Sequence, residues 1–189
     1  MTSPAANLVT LFGGLAGLLA FASIVAEVLR RRVRSPEGQA TVENLRQRVN
    51  AWWVMVAIFA AGVALGPWAT VLLFGLASLY ALREFMSLTP TRPADYWPLV
   101  LAFYVFLPLQ YWLVWIEWYG LFSILIPVYA FLVIPSLAAM RGDPADFLLR
   151  VARIQWGLTL AVYCISHAPA LLTLRIAGHE GQGILLLFF

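Results

Sequence analysis

Arg30-Arg31-Arg32-Val33-Arg34-Ser35-Pro36-Glu37-Gly38-Gln39-Ala40-Thr41-Val42-Glu43-Asn44-Leu45-Arg46-Gln47-Arg48-Val49-Asn50-Ala51-Trp52-Trp53 is the polar stretch around which this chain is built. It holds six of the twelve arginines, and apolar runs lie on both sides of it. A segment of that polarity does not cross a bilayer, so it stays on one side and orients the spans around it. Ser35-Pro36-Glu37 has the chemistry of a helix start: a capping hydroxyl, a proline at the first helical position and an acid near the positive end. Gly38 weakens that start. Val42, Leu45 and Val49 share one helical face, with Glu43, Arg46 and Gln47 largely off it. The spacing predicts a short amphipathic helix, Thr41 to Asn50, lying on the membrane surface. Trp52 and Trp53 then mark headgroup level. Residues 30–50 thus read as a cytoplasmic basic amphipathic segment.

Outward from this stretch the chain is apolar. It has 189 residues, 62% hydrophobic and 11% charged, with a mean hydropathy of +0.85. Soluble domains carry about 25% charged residues, so the composition is that of an integral membrane protein, read as one membrane domain over 1–189. Spans are expected at about Leu8–Glu27, Ala51–Leu65, Trp68–Met86, Trp97–Trp115, Tyr119–Ala139 and Phe147–Leu174. Gly66-Pro67-Trp68 is a tight turn between the second and third. A seventh apolar run, Gly183–Phe189, is far shorter than the roughly 20 residues a span requires. The expected fold is an all-α polytopic transmembrane helix bundle, with six complete spans and a truncated seventh, the front part of a longer protein. Gly13 and Gly17, and again Gly62 and Gly66, have the spacing that lets helices approach closely. Pro108, Pro127 and Pro135 fall inside spans, where each frees a backbone carbonyl that a neighbour or water must satisfy.

Charge fixes a side. Putting Arg30–Asn50, Ser87–Tyr96 and Met140–Arg153 on one face collects eleven of the twelve arginines, counting Arg83 at the membrane edge, and leaves Arg175 on the other. The positive-inside rule then places the N-terminus outside and these loops in the cytoplasm. Trp52, Trp53, Trp97 and Trp156 fall at the inner interface; Trp68, Trp112, Trp115 and Trp118 fall at or near the outer one. Because the basic charge is spread over membrane-flanking loops, it points to membrane lipids as partners and not to nucleic acid.

The sequence contains no glycine-rich phosphate loop, no His-x-x-x-His pair, no cysteine cluster and no lysine. Cys164 reads as an inert core residue, His167 as a hydrogen-bonded packing residue and His179 as a loop residue. More informative are the polar groups at the cytoplasmic ends of spans: Asn44, Arg46, Arg48, Arg83, Glu84, Arg150, Arg153 and Gln155. Arginine forks match phosphate oxygens two at a time, and a lipid phosphate lies at this depth. Arg46, Arg48, Arg83 and Arg153 are therefore the candidate phosphate-binding residues, with Glu84, Asn44 and Gln155 to orient them. The competing reading for Arg46, Arg48 and Arg150 is snorkelling to headgroups, and for Arg83-Glu84 a helix-end ion pair.

Asn44-Leu45-Arg46-Gln47-Arg48-Val49-Asn50-Ala51-Trp52-Trp53 and Leu82-Arg83-Glu84-Phe85-Met86-Ser87-Leu88-Thr89-Pro90-Thr91 resemble the phosphatidate cytidylyltransferase (CDP-diacylglycerol synthase) family. Pro108-Leu109-Gln110-Tyr111-Trp112, the run from Tyr119 to Tyr129, and Ile154-Gln155-Trp156-Gly157 through Leu172 strengthen the resemblance, which covers most of the chain from about Asn44. It implies CTP and phosphatidate as substrates, CDP-diacylglycerol and pyrophosphate as products, and Mg2+ as cofactor. The family's lysine-containing C-terminal signature and its metal-binding aspartates are not in this sequence. The resemblance thus implies that the full protein is the enzyme, that residues 1–189 alone are inactive, and that the catalytic residues and Mg2+ ligands lie beyond residue 189. A homodimer is admitted by this reading. Three other readings compete: a transporter or channel, a CTP-dependent lipid or polyisoprenol kinase releasing CDP, and a non-enzymatic membrane scaffold.

Overall fold

The computed structural model describes residues 4–33 and 35–173. The seventh apolar run, Arg175 and His179 lie outside them. The described regular structure is entirely helical, with six helices long and apolar enough to cross a membrane. They are α1 (Pro4–Arg32), α2 (Pro36–Leu65), α3 (Pro67–Ser87), α4 (Pro93–Trp115), α5 (Tyr119–Ala139) and α6 (Phe147–Leu172). The chain divides into two compact units between Leu65 and Gly66.

In the first unit the expected helix start is present. Gly38 N–H donates to Ser35 Oγ at 3.3 Å, and Pro36 opens α2. Gly38 weakens helix propensity but supplies room: a Cβ there would stand 2.7 Å from Ser35 Oγ and collide with Val33. The short surface helix does not exist as a separate element. Thr41–Asn50 runs without a break into the second span, making α2 one helix of 30 residues. From Ala40 to Ala61 there is no glycine or proline to stop the hydrogen-bond ladder, and at 1.5 Å per residue such a helix is about 45 Å long. That exceeds the roughly 30 Å hydrocarbon layer, so the arginine-bearing turns project beyond it. Val42 and Val49 are buried, as their shared face implied, while Leu45 is exposed. Trp53 Nε1 donates to Ser23 Oγ at 3.1 Å, and the Phe12 and Phe59 rings lie 6.1 Å apart. The Gly13–Gly17 face is not used for close approach among the described residues, since no atom comes within 4 Å of a Cβ placed on either.

The second unit packs α3 to α6 around Leu82, Leu113, Ile134, Leu158 and Val162, all fully buried. Gly66, with φ 106°, makes the turn into α3, a left-handed backbone that glycine adopts freely. Gly157 brings α6 against α3: a Cβ there would lie 3.0 Å from Phe85 Cδ1 and closer still to Met86 Cε. Each of α4, α5 and α6 contains a π-helical stretch, Ala102–Phe106, Leu125–Ala130 and Thr159–Cys164 respectively. Cys164 is exposed and not a core residue; Ala161, Val162 and Ser166 occupy the inward face of that stretch. His167 Nδ1 donates to the Tyr163 carbonyl at 2.7 Å, and its ring lies 4.8 Å from that of Phe122, a packing role.

The interior prolines of α5 have named partners. Pro127 deprives the Ser123 carbonyl of its ordinary helical donor, and the Tyr163 hydroxyl donates to that oxygen at 3.1 Å. Pro135 does the same to Phe131, and Gln155 Nε2 donates there at 3.0 Å. Gln155→Leu is expected to lower stability by about 0.5–2 kcal/mol, because it leaves a carbonyl unpaired away from water. In a Pro135→Ala background, where residue 135 regains its N–H, the same change should cost measurably less. Equal losses in both backgrounds, read by thermal unfolding in one detergent, would contradict the pairing.

Candidate functional site

The loops at one end of the second unit repeat a tripeptide, Pro93-Ala94-Asp95 and Pro144-Ala145-Asp146. In both, proline stops the preceding backbone from continuing as helix and the aspartate stands where the next helix begins. Asp95 and Arg150 are 2% and 3% exposed. Asp95 Oδ2 accepts the Arg92 backbone N–H at 2.9 Å, and Asp95 Oδ1 takes Arg150 Nε at 2.9 Å. Arg150 Nη1 reaches Asp143 Oδ2 at 2.7 Å and the Ala145 carbonyl at 2.8 Å. Arg92 Nη2 closes the outer edge on Asp146 Oδ2 at 2.8 Å. One buried guanidinium therefore ties the α3–α4 loop to the α5–α6 loop. Arg141 adds a stack, its Cζ lying 5.5 Å from the centre of the Trp97 ring.

Arg150 does not snorkel. It points inward because two aspartate carboxylates and the Ala145 and Asp143 carbonyls satisfy a fork that lipid would satisfy less completely. The Ala145 amide, followed by the charges of Arg150 and Arg92, holds the Asp143 carboxyl below its ordinary range against partial burial, so it is ionised at neutral pH. Sequence reasoning passed over Asp95, Asp143 and Asp146; the repeated Pro-Ala-Asp was the available signal.

The candidate phosphate-binding residues fall in both units. On α2, Arg46 is exposed and pairs with Glu43, Nε to Oε2 at 3.2 Å. Asn44 and Arg48 are exposed, and Arg48 makes no ion pair among the described residues. In the second unit, Arg153 Nη1 donates to the Pro90 carbonyl at 3.1 Å, which fastens α6 to the α3–α4 loop. Gln155 is on the Phe131 carbonyl. Arg83 and Glu84 are exposed and do not pair, since adjacent helical residues point about 100° apart. Arg83 instead lines a cleft of about 470 Å³ between α3 and α4, with Tyr80, Tyr96, Leu99, Phe103 and Tyr104.

No three His, Cys, Asp or Glu side chains among the described residues are grouped to hold a metal ion. The loop aspartates already have arginine partners, so these described residues do not fit a Mg2+ site.

The described helices define a class, a multi-pass helical membrane protein, in which Arg48 of the first unit and Arg83 of the second are exposed and make no ion pair among the described residues. The cytidylyltransferase family model matches residues 46–189, and the chain belongs to that family. It is 31% identical over 184 residues to the uncharacterized protein YnbB of Escherichia coli (strain K12), a match covering 96% of this chain and 56% of YnbB. The chain thus spans little more than half the length of that curated relative. No solved structure matches it.

Proposed function

We propose that the protein is a phosphatidate cytidylyltransferase of phospholipid biosynthesis, working at the cytoplasmic face of a bacterial inner membrane. The observation that carries this reading is the family match over residues 46–189, and the arginines at the span ends support it. A phosphate oxygen of phosphatidate attacks the α-phosphorus of CTP. The new P–O bond forms as the bond to the β-phosphate breaks, giving CDP-diacylglycerol and pyrophosphate. Both reactants are polyanions, so cations must offset their repulsion. Arg83 in the second unit is one such cation for a substrate phosphate, and Arg46 and Arg48 in the first unit are others; Arg153 and Gln155 already hold the Pro90 and Phe131 carbonyls and position backbone instead. Mg2+ is the expected metal, its ligands coming from outside the described residues.

The test uses full-length protein in phosphatidate-containing vesicles, with CTP added and products separated. Pyrophosphate with CDP-diacylglycerol supports the reading; CDP with a phosphorylated lipid makes the protein a kinase. Arg48→Gln is expected to raise the apparent KM for phosphatidate roughly tenfold or more, the loss of one charge-assisted phosphate contact. An unchanged KM would remove Arg48 from that role.

A further inference from the structure

Two hollows lie side by side along α3 and α4. The first is the cleft of about 470 Å³ holding Arg83. The second, about 480 Å³, is lined by Trp68, Leu72, Leu76, Pro108, Trp112 and neighbouring apolar residues. Leu79 lines both, so the two are neighbours on either side of that residue. The floor is set by Gly75, whose missing side chain lets the Tyr111 ring come to 3.5 Å of its Cβ position, and by the buried hydrogen bond between Ser78 and Tyr111. From Arg83 to Trp68 is fifteen residues of helix, about 22 Å. One leaflet of hydrocarbon is roughly half of 30 Å, so the two hollows in line cover the length of an acyl chain.

The two ends differ chemically. At the Trp68 end the walls are nearly all carbon. At the other stand Arg83, exposed and with no ion pair among the described residues, and the hydroxyl-bearing rings of Tyr80, Tyr96 and Tyr104. Trp97, beside Tyr96, marks headgroup level at that end. An arginine at this depth attracts anionic phosphate, while the apolar hollow beyond Leu79 suits a chain attached to it.

We infer that the α3–α4 groove is a lateral binding site for a single phospholipid, its phosphate on Arg83 and one acyl chain laid along Leu79, Leu76 and Leu72. The groove and Arg83 carry this inference; it rests on the proposed function only in taking a phosphate monoester lipid, phosphatidate, as the preferred ligand.

The probe is a phosphatidate with a photoreactive group in its acyl chain, in phosphatidylcholine vesicles containing the full-length protein, with labelled peptides mapped by mass spectrometry. Labelling is expected to saturate, to map to α3 and α4, and to be displaced by unlabelled phosphatidate but not by added CTP or inorganic phosphate. Arg83→Gln should weaken the displacement about tenfold without lowering the unfolding temperature, and Leu76→Trp, which fills the trough from an exposed position, should abolish α3 labelling. Even, non-saturating labelling would overturn the site as ordinary surrounding lipid. Equal displacement by phosphatidylcholine or by CTP would overturn its headgroup assignment. Absence of α3–α4 labelling would mean that another segment or a second copy covers the groove. Pyrophosphate release from the same vesicles separates the two claims: activity without groove labelling overturns the groove alone, and groove labelling without activity overturns the proposed function alone.

Discussion

Arg150→Met is expected to lower the apparent unfolding temperature by on the order of 10 °C. Removing one partner of a buried ion pair costs about 3–5 kcal/mol, because the other charge stays buried without compensation, and each kcal/mol is worth roughly 2–4 °C in a chain of this size. Here the stranded group is Asp95, 2% exposed, left with only the Arg92 amide. The Ala145 carbonyl loses the Arg150 donor in the same substitution, and Asp143 keeps the Ala145 amide and the Arg92 charge. Asp95→Asn should be milder, since its amide oxygen still accepts from Arg150. Combining Arg150→Met with Asp95→Leu should recover part of the loss, because replacing both charges by apolar groups leaves neither unpaired. Intrinsic tryptophan fluorescence in one detergent at one scan rate reads all three. A single mutant that melts within about 2 °C of the parent would show that the two loops are not fastened by Arg150.

Gly157→Leu is expected to prevent the second unit from packing. Even the first added carbon, in Gly157→Ala, would press on Phe85 Cδ1 at 3.0 Å and Leu82 Cδ1 at 3.2 Å. Overpacking of that size costs about 1–3 kcal/mol. The alanine should be partly relieved, because the nearest obstacle is the flexible end of Met86. Leucine has no such relief, since Leu82 is fully buried and Met86 nearly so, and α6 must then move bodily away from α3. Expression level and a size-exclusion profile in detergent check this: a monodisperse Gly157→Leu protein at parental yield would contradict the close approach. Met86→Ala should restore much of the alanine variant's stability and little of the leucine variant's.

The sequence by itself determined the class of fold and some of the helix ends. Apolar runs of about 20 residues have no stable alternative to helix in a bilayer, because every backbone N–H and C=O must be paired within the segment. Proline and glycine at Pro36 and Gly66-Pro67 mark ends by local backbone chemistry, which needs no tertiary information. The family resemblance was legible for the same reason: it resides in contiguous runs, and the match over 46–189 agrees with it. One local expectation failed at Asn50. Amphipathic spacing reports which residues share a face, but not whether a helix stops, and nothing at that point stops it.

Tertiary structure decided what the polar residues do. Arg150 and Arg153 look alike in sequence, three residues apart on one helix. One is sealed under two loops by partners 55 and 7 residues away, and the other holds the Pro90 carbonyl. Gln155 serves the carbonyl that Pro135 leaves without a donor. Arg83 faces a groove whose other wall lies on the following helix. Periodicity along one helix gives the direction of a side chain, but its partner depends on which helix stands opposite and at what height. That height is set by core packing at Gly157, Leu82 and Leu158, through contacts distant in sequence that no local pattern records.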